Sequence, residues 1–368
     1  MLKPSRNDEG ELMAGETDPA SWILDQCKAQ GFALAGVCDA DPPRWGTEFR
    51  RWLDAGKHGE MAYLDEHYSA SQDTNQILEG AQSVVMVADL YATRDEPADQ
   101  TEPGVGRIAR YARGKDYHRV IKKRLQAVCD DARQKYPGEE FRAFVDTAPM
   151  NEREFAARAG LGWIAKHTLI INPTLGSWMV LGGFLTTMKL DKPTQQPAYE
   201  DHCGTCTRCI DACPTDAITP YSIDATRCIS YLTIEHRSPI DEQLMAQMGD
   251  WVAGCDICQE VCPHNTPKAF TEEHETHASY GTKPADFDLL EILGWDTDKR
   301  RDALTTSALK RVKLDQFRRN AAIAAGNALK DREVPEIRAK LEQVSSDESE
   351  PELVRQAARW ALADRPAP

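Results

Sequence analysis

Eight of the eleven cysteines fall between residues 203 and 262, as Cys203-x2-Cys206-x2-Cys209-x3-Cys213-Pro214, an isolated Cys228, and Cys255-x2-Cys258-x3-Cys262-Pro263. Thiolates are soft ligands, and short x2 loops wrap consecutive sulfurs around one iron–sulfur cubane while a fourth ligand arrives from a distance. In two-cluster proteins the fourth cysteine of such a run serves the other centre. Two [4Fe-4S] clusters are therefore expected, one on Cys203, Cys206, Cys209 and Cys262, the other on Cys213, Cys228, Cys255 and Cys258. Zinc is the competing reading, because paired Cys-x2-Cys units also build tetrahedral sites. A second alternative is that the clusters are structural only; if they carry electrons, another part of the chain must use them.

The second chemical feature is Asp146, at the end of a predicted strand over residues 141–145 and ahead of a helical segment at 151–159. Open α/β proteins place reactive groups at such strand ends. Against apolar walls its carboxyl would be pushed up by desolvation and would donate a proton near neutrality; an Asx-turn or helix cap is the plain alternative. Gly104-x-Gly106 and Gly160-x-Gly162 lack the strand–glycine–helix setting of a dinucleotide site, so direct nicotinamide binding is not supported. The formal net charge of −15 argues against nucleic acid, yet eight Lys/Arg stand against one acid over residues 107–124 and eight against two over 299–319. These islands read either as a phosphate track or as two solvated helix faces.

The elements that must carry these groups follow from periodicity and punctuation. Asp18-Pro19 caps a first helix carrying Trp22, Ile23 and Cys27. Strands are expected at 32–37 and 83–90, a helix at 44–55, another opened by the stretch 107–118 and carrying Val120, Ile121, Leu125 and Val128 on one face, and an acidic loop at 95–106. Residues 168–171 and 178–186 read as a strand pair joined across 172–176. The three remaining cysteines, Cys27, Cys38 and Cys129, read as small buried hydrophobes. His264, His274 and His277 read as solvated rather than as ligands.

The domain layout expected is a disordered tail over 1–18, an α/β unit over 19–188, a ferredoxin-like two-cluster unit over 189–286 and a helical unit over 287–368. The last has paired short helices of HEAT-like type, too few to stand alone. The class is α+β. No apolar run is long enough to cross a bilayer, and oxygen-sensitive clusters without a secretion signal point to the reducing cytoplasm.

Arg110-Tyr111-Ala112-Arg113-Gly114-Lys115-Asp116-Tyr117-His118, the 146–153 turn, Ala159-Gly160-Leu161-Gly162-Trp163-Ile164-Ala165-Lys166-His167-Thr168 and Gly176-Ser177-Trp178 together resemble the epoxyqueuosine reductase family. The cysteine pattern and Arg318-Arg319-Asn320 match it as well, and the likeness covers nearly all of the chain after residue 19. It implies a monomeric oxidoreductase that reduces epoxyqueuosine to queuosine at the wobble position of tRNA with a GUN anticodon, the last step of queuosine biosynthesis. It implies cobalamin in the N-terminal domain, with electrons from a flavodoxin or ferredoxin-type donor passing through the two clusters to it. Asp146 stands at the family's proton donor, and Tyr111, Lys166, Ile170 and Ser230 fall near corrin or substrate. The basic islands, with Arg153, Lys310, Arg311, Arg318, Arg319 and Asn320, are expected to hold the tRNA arm. Two other classes remain open: a corrinoid reductive dehalogenase, which has no use for a basic tail, and a ferredoxin-type electron-transfer subunit, which needs no pocket acid.

Overall fold

The computed structural model describes residues 18–92, 104–266, 275–283 and 286–363. Residues 1–17 of the expected tail, most of the acidic loop and His274 lie outside these. In chain order the elements that frame the site are α1 (Pro19–Ala29), β1 (Leu34–Asp39), α2 (Gly46–Asp54), β2 (Ser83–Leu90), β3 (Val105–Ile108), α3 (Tyr117–Lys135), β4 (Phe141–Phe144) and α4 (Glu152–Arg158). After these come β5 (Trp163–Ile164), β6 (Ile170–Ile171), β7 (Met179–Thr186), α5 (Ile229–Ile234), β8 (Trp251–Ala253), β9 (Asp286–Asp288) and α6 (Leu289–Leu293). Three longer helices close the chain: α7 (Leu314–Asp331), α8 (Pro335–Ser346) and α9 (Glu352–Leu362).

The main sheet runs β1-β2-β7-β4, and each pairing in it is antiparallel. This corrects the open α/β expectation: the acid after β4 sits at the edge of an antiparallel sheet, not at a parallel switch point. All eight residues of β2 are buried because both faces are covered. Val85 and Val87 face α1 and α3, while Val84, Met86 and Ala88 face α4. On α3 the 3.6-residue period puts Ile121, Leu125, Val128, Cys129 and Ala132 against the sheet. Burial of each of the larger ones contributes about 2 kcal/mol. The approach is close: a β-carbon on Gly182 would lie 2.7 Å from Ile121 Cγ2. Cys27, Cys38 and Cys129 are buried as expected, their thiols pushed up to about 12, chiefly by desolvation.

The expected hairpin does not form. β6 pairs with β5, and β7 pairs with β2 and β4. Asn172 and Gly176 make a local bridge that turns the chain from one sheet to the other.

β3 lies between β8, to which it is parallel, and β9, to which it is antiparallel. One core unites Ile108, Ala109 and Ala112 with Trp251, Val252, Leu289, Phe317 and Trp360. The boundary drawn at residue 286 therefore does not separate two cores. α7 packs on α9, which packs on α8. No helix among the described residues is long and apolar enough to cross a membrane.

Candidate active site

Asp146 follows β4 in a left-handed conformation, φ +40°, which an L-residue adopts only under local constraint. Its main-chain N–H donates to Glu152 Oε1 at 2.6 Å, tying the turn to the start of α4. Its carboxylate Oδ2 lies 2.9 Å from His118 Nε2, and His118 Nδ1 lies 2.7 Å from Asp116 Oδ1. Asp116 is the N-cap of α3 and also accepts the His118 main-chain N–H, so the cap that starts the helix fixes the imidazole. Asp116 in turn donates its N–H to the carbonyl of Thr306, which brings the C-terminal basic segment alongside. The Asp146 side chain stays 43% exposed, so a substrate can reach it.

The electrostatics correct one expectation. Burial works to raise the Asp146 carboxyl, but the His118 hydrogen bond and charge, the Arg311 charge and the Tyr117 hydroxyl outweigh it and hold it below the usual range. The proton resides instead on its neighbours. Burial opposes protonation of His118, yet hydrogen bonds to Asp116 and Asp146 raise it to about 9. Burial and the Asp146 charge push Glu152 up to about 8. Tyr111 and Tyr117 lie beside Asp146, their phenols raised chiefly by burial. His118, Tyr117 and Glu152 stood in the motifs read from sequence, but nothing in their spacing marked them as partners of Asp146.

The cysteines fall into two electrostatic neighbourhoods. Cys262 feels Cys203, Cys209 and Cys206, while Cys255 feels Cys228 and Cys213, and Cys258 feels Cys255 and Cys228. Cys258 also feels Cys209, so the two groups adjoin. Main-chain N–H groups point at the sulfurs, from Lys166 to Cys203, Ser230 and Tyr231 to Cys228, Ile257 to Cys255 and His264 to Cys262. Ala217 N–H donates to Cys213 Sγ at 3.4 Å. Such donors stabilise cluster sulfur. Trp163 Nε1 is buried and directed at the Cys203 sulfur, where it favours the charged thiolate.

The remaining expected residues divide. Tyr111 lies beside Asp146 and against Gly254, next to Cys255; an added β-carbon there would meet its Cε1 at 3.6 Å. Lys166 Nζ donates to the carbonyls of Gly204 and Cys206, so it braces the first cysteine loop. Ser230 serves Cys228, and Ile170 is buried in β6. Arg153 is exposed and donates to Thr168 O and Oγ1, both at 3.0 Å. Lys310 and Arg311 are exposed, Arg311 pairing with Glu235 at 2.6 Å.

Arg318, Arg319 and Asn320 are not available to a phosphate. Arg319 is 1% exposed and donates to the carbonyls of Leu232, His236 and Ser238. Asn320 donates to those of Thr233 and Val252. Arg318 donates to Leu293 O and pairs with Glu350 at 2.5 Å. These side chains clamp α7 to α5 and β8, so the tRNA expectation for them is replaced by a structural one. Of the first basic island, Arg110 and Arg113 are buried as well, leaving Lys115, Arg119, Lys122 and Lys123 outside. His264 and His277, expected in solvent, are half-buried against Trp163 and Tyr280.

A paired cysteine pocket beside an acid held by histidine defines an iron–sulfur oxidoreductase. A 4Fe-4S double cluster binding domain matches residues 202–265, and an epoxyqueuosine reductase QueG domain matches residues 72–147. Epoxyqueuosine reductase from Shewanella oneidensis is 37% identical over 92% of this chain and 86% of its own length. That from Escherichia coli is 36% identical over 91% and 86%. A crystal structure of epoxyqueuosine reductase with an epoxyqueuosine-modified tRNA-Tyr stem loop superposes with TM-score 0.79 at 26% identity, covering 93% of this chain and 88% of that one. The Bacillus subtilis structure, whose aspartate catalytic loop is swung out of the active site, superposes with TM-score 0.78 at 25% identity over 93% and 88%. The chain belongs to the epoxyqueuosine reductase family.

Proposed function

We propose that the chain reduces the epoxide of epoxyqueuosine in tRNA to the alkene of queuosine, with Asp146 as the acid that protonates the departing oxygen. Removing the oxygen as water consumes two electrons and two protons. The observation that carries the reading is the exposed Asp146 carboxylate, hydrogen-bonded to His118 at 2.9 Å and neighboured by Tyr111, whose ring abuts the Cys255 loop. A family relative bound to a modified stem loop, and another whose aspartate loop is catalytic, support the same assignment.

Clusters pass electrons one at a time, so carbon–oxygen cleavage needs a partner that can engage carbon. Cobalamin fits the donor set. A corrin rim carries amides, and the surface around Asp146 offers the Tyr63 ring, 40% exposed, and the half-exposed Arg311 guanidinium. Tyr111, with Lys166 and Ser230 beside the cysteine loops, would hold it between Asp146 and the cysteine sets, while Ile170, buried in β6, would support the site from the core. When bound it would supply the carbon-directed nucleophile or radical partner. The cysteines would hold two clusters in the groups 203/206/209/262 and 213/228/255/258, fed by a flavodoxin or ferredoxin-type donor. Arg153, Lys310 and Arg311, with Lys115 and Arg119, would contact the tRNA arm, and the C-terminal helices would act as a HEAT-like platform for it.

The test is anaerobic turnover of an epoxyqueuosine-bearing stem loop by protein reconstituted with iron, sulfide and cobalamin, read by mass spectrometry of the nucleoside. Loss of one oxygen is expected. A protein that carries its clusters, retains no corrin absorbance on gel filtration and leaves the epoxide intact would overturn the reading.

A further inference from the structure

The acid proposed above must arrive protonated, yet its surroundings favour the carboxylate, and the geometry around it offers a solution. The Nδ1 proton of His118 is committed to Asp116 Oδ1 at 2.7 Å. The 2.9 Å contact between His118 Nε2 and Asp146 Oδ2 must then contain a second proton, whichever of the two atoms holds it. We infer that Asp116, His118 and Asp146 form a proton relay in which His118 is the store and Asp146 the delivery arm.

The arrangement is directional. His118 is 23% exposed and Asp116 22%, whereas Asp146 is 43% exposed and alone of the three faces the open surface. Asp116 is pinned three ways, as acceptor of the His118 N–H, as partner of the ring, and through its own N–H to Thr306 O at 2.6 Å. It therefore positions the imidazole and keeps Nδ1 protonated. The ring stacks on Tyr117 with centroids 4.0 Å apart, which limits its swing. Asp146 is held by one main-chain bond to Glu152 in a left-handed conformation, so a small rotation of its side chain serves both His118 and a substrate oxygen. Charged groups that bear on the relay are Glu152 from α4, Arg311 on Asp146 and Lys310 on Asp116.

The step balances. As the first carbon–oxygen bond breaks, the Nε2 proton of His118 passes to Asp146, which delivers it to the oxygen, now a hydroxyl. Neutral His118 is left with its Nδ1 proton and Asp146 as the carboxylate. Solvent restores the imidazolium, and a second pass protonates the hydroxyl as the second carbon–oxygen bond breaks, so that water leaves and the carbon–carbon double bond forms. The two electrons come singly from an external one-electron donor through the clusters. The relay rests on the epoxide reading for its substrate, but its protonation chemistry belongs to the protein alone.

Two measurements test it. In oxidised holoenzyme, histidine-selective NMR of His118 should titrate near 9, and Asp116→Asn should lower that value by a unit or more. In single-turnover assays at saturating reductant, the alkaline limb of the rate should fall with the same midpoint and move down with it in Asp116→Asn, KM for the stem loop being unchanged. His118→Gln keeps a donor near Asp146 but holds no transferable proton. It should lose about a hundredfold or more at pH 8 and far less near pH 5, where Asp146 can be protonated from solvent. A His118 signal titrating at its ordinary 6.5, or a limb that stays in place in Asp116→Asn, would overturn the relay. Wild-type protein that leaves the epoxide intact while His118 titrates near 9 would instead remove the substrate reading and leave the relay standing.

Discussion

Asp146 is governed by a charged partner rather than by the apolar wall its sequence context suggested. Residues 141–145 read as a strand, and the position of the acid at its end was legible from them. What they did not reveal is that residues 116–118, and Arg311 from far along the chain, fold onto the same carboxylate. Asp146→Asn should reduce kcat for epoxide reduction by about 10²–10⁴-fold while leaving stem-loop affinity within a few-fold, measured by single turnover and filter binding. The ion pair also has a signature in stability. His118, raised from 6.5 to about 9, contributes fully below pH 6.5 and loses that contribution as pH rises through 9. Asp146, whose carboxyl is depressed, contributes above the ordinary carboxylate range and loses it as pH falls. Thermal melts should therefore show an alkaline decline near pH 9 that is absent in His118→Gln; an identical decline in both would disprove the assignment.

At the scale of elements, amphipathic period and caps were reliable guides. The Asp18 cap and Pro19 opened α1, the helix expected after the 107–118 stretch formed as α3, and the run 83–90 became a strand buried on both faces. Pairing was not readable, because a strand's partner is set by distant packing: β6 and β7, adjacent in sequence, entered different sheets. The cysteine spacing, by contrast, carried its own geometry, since short loops leave few ways to encircle a cluster. Removing Cys228, which caps α5 and neighbours Cys213 and Cys255, should cost one centre. Cys228→Ala should fall from about eight irons per chain to about four, by iron assay and EPR. The Arg318-Arg319-Asn320 run shows the limit of charge counting. A basic run on a helix looked like a phosphate track, yet this single turn of α7 uses it to satisfy carbonyls of other elements. Arg319→Leu, which removes hydrogen bonds to the buried carbonyl of Leu232 and the part-buried ones of His236 and Ser238, should cost about 1–3 kcal/mol and lower Tm with little change in the salt dependence of tRNA binding.

Across the whole molecule, a net charge of −15 coexists with exposed cations near the acid, among them Lys115, Arg119, Arg153, Lys310 and Arg311. Each that meets a phosphate adds about 0.7–0.9 to the slope of log affinity against log salt. Lys310→Ala with Arg311→Ala should flatten that slope by roughly 1–2 units without lowering Tm; an unchanged slope would place the RNA elsewhere. The layout in successive domains was legible only as composition, because the core that joins residues 108–112 to 225–361 leaves no mark on local sequence. The seating of β3 between β8 and β9 bears on how the polypeptide is made. A ribosome finishes β3 nearly 180 residues before β9 emerges, so the segment leading into the Tyr111–His118 stretch waits with both edges bare until β8 is made and with one edge bare until β9 follows. A nascent chain stalled before residue 286 would be a target for chaperones and proteases, and the reactive centre would take shape only once the last third of the message had been read.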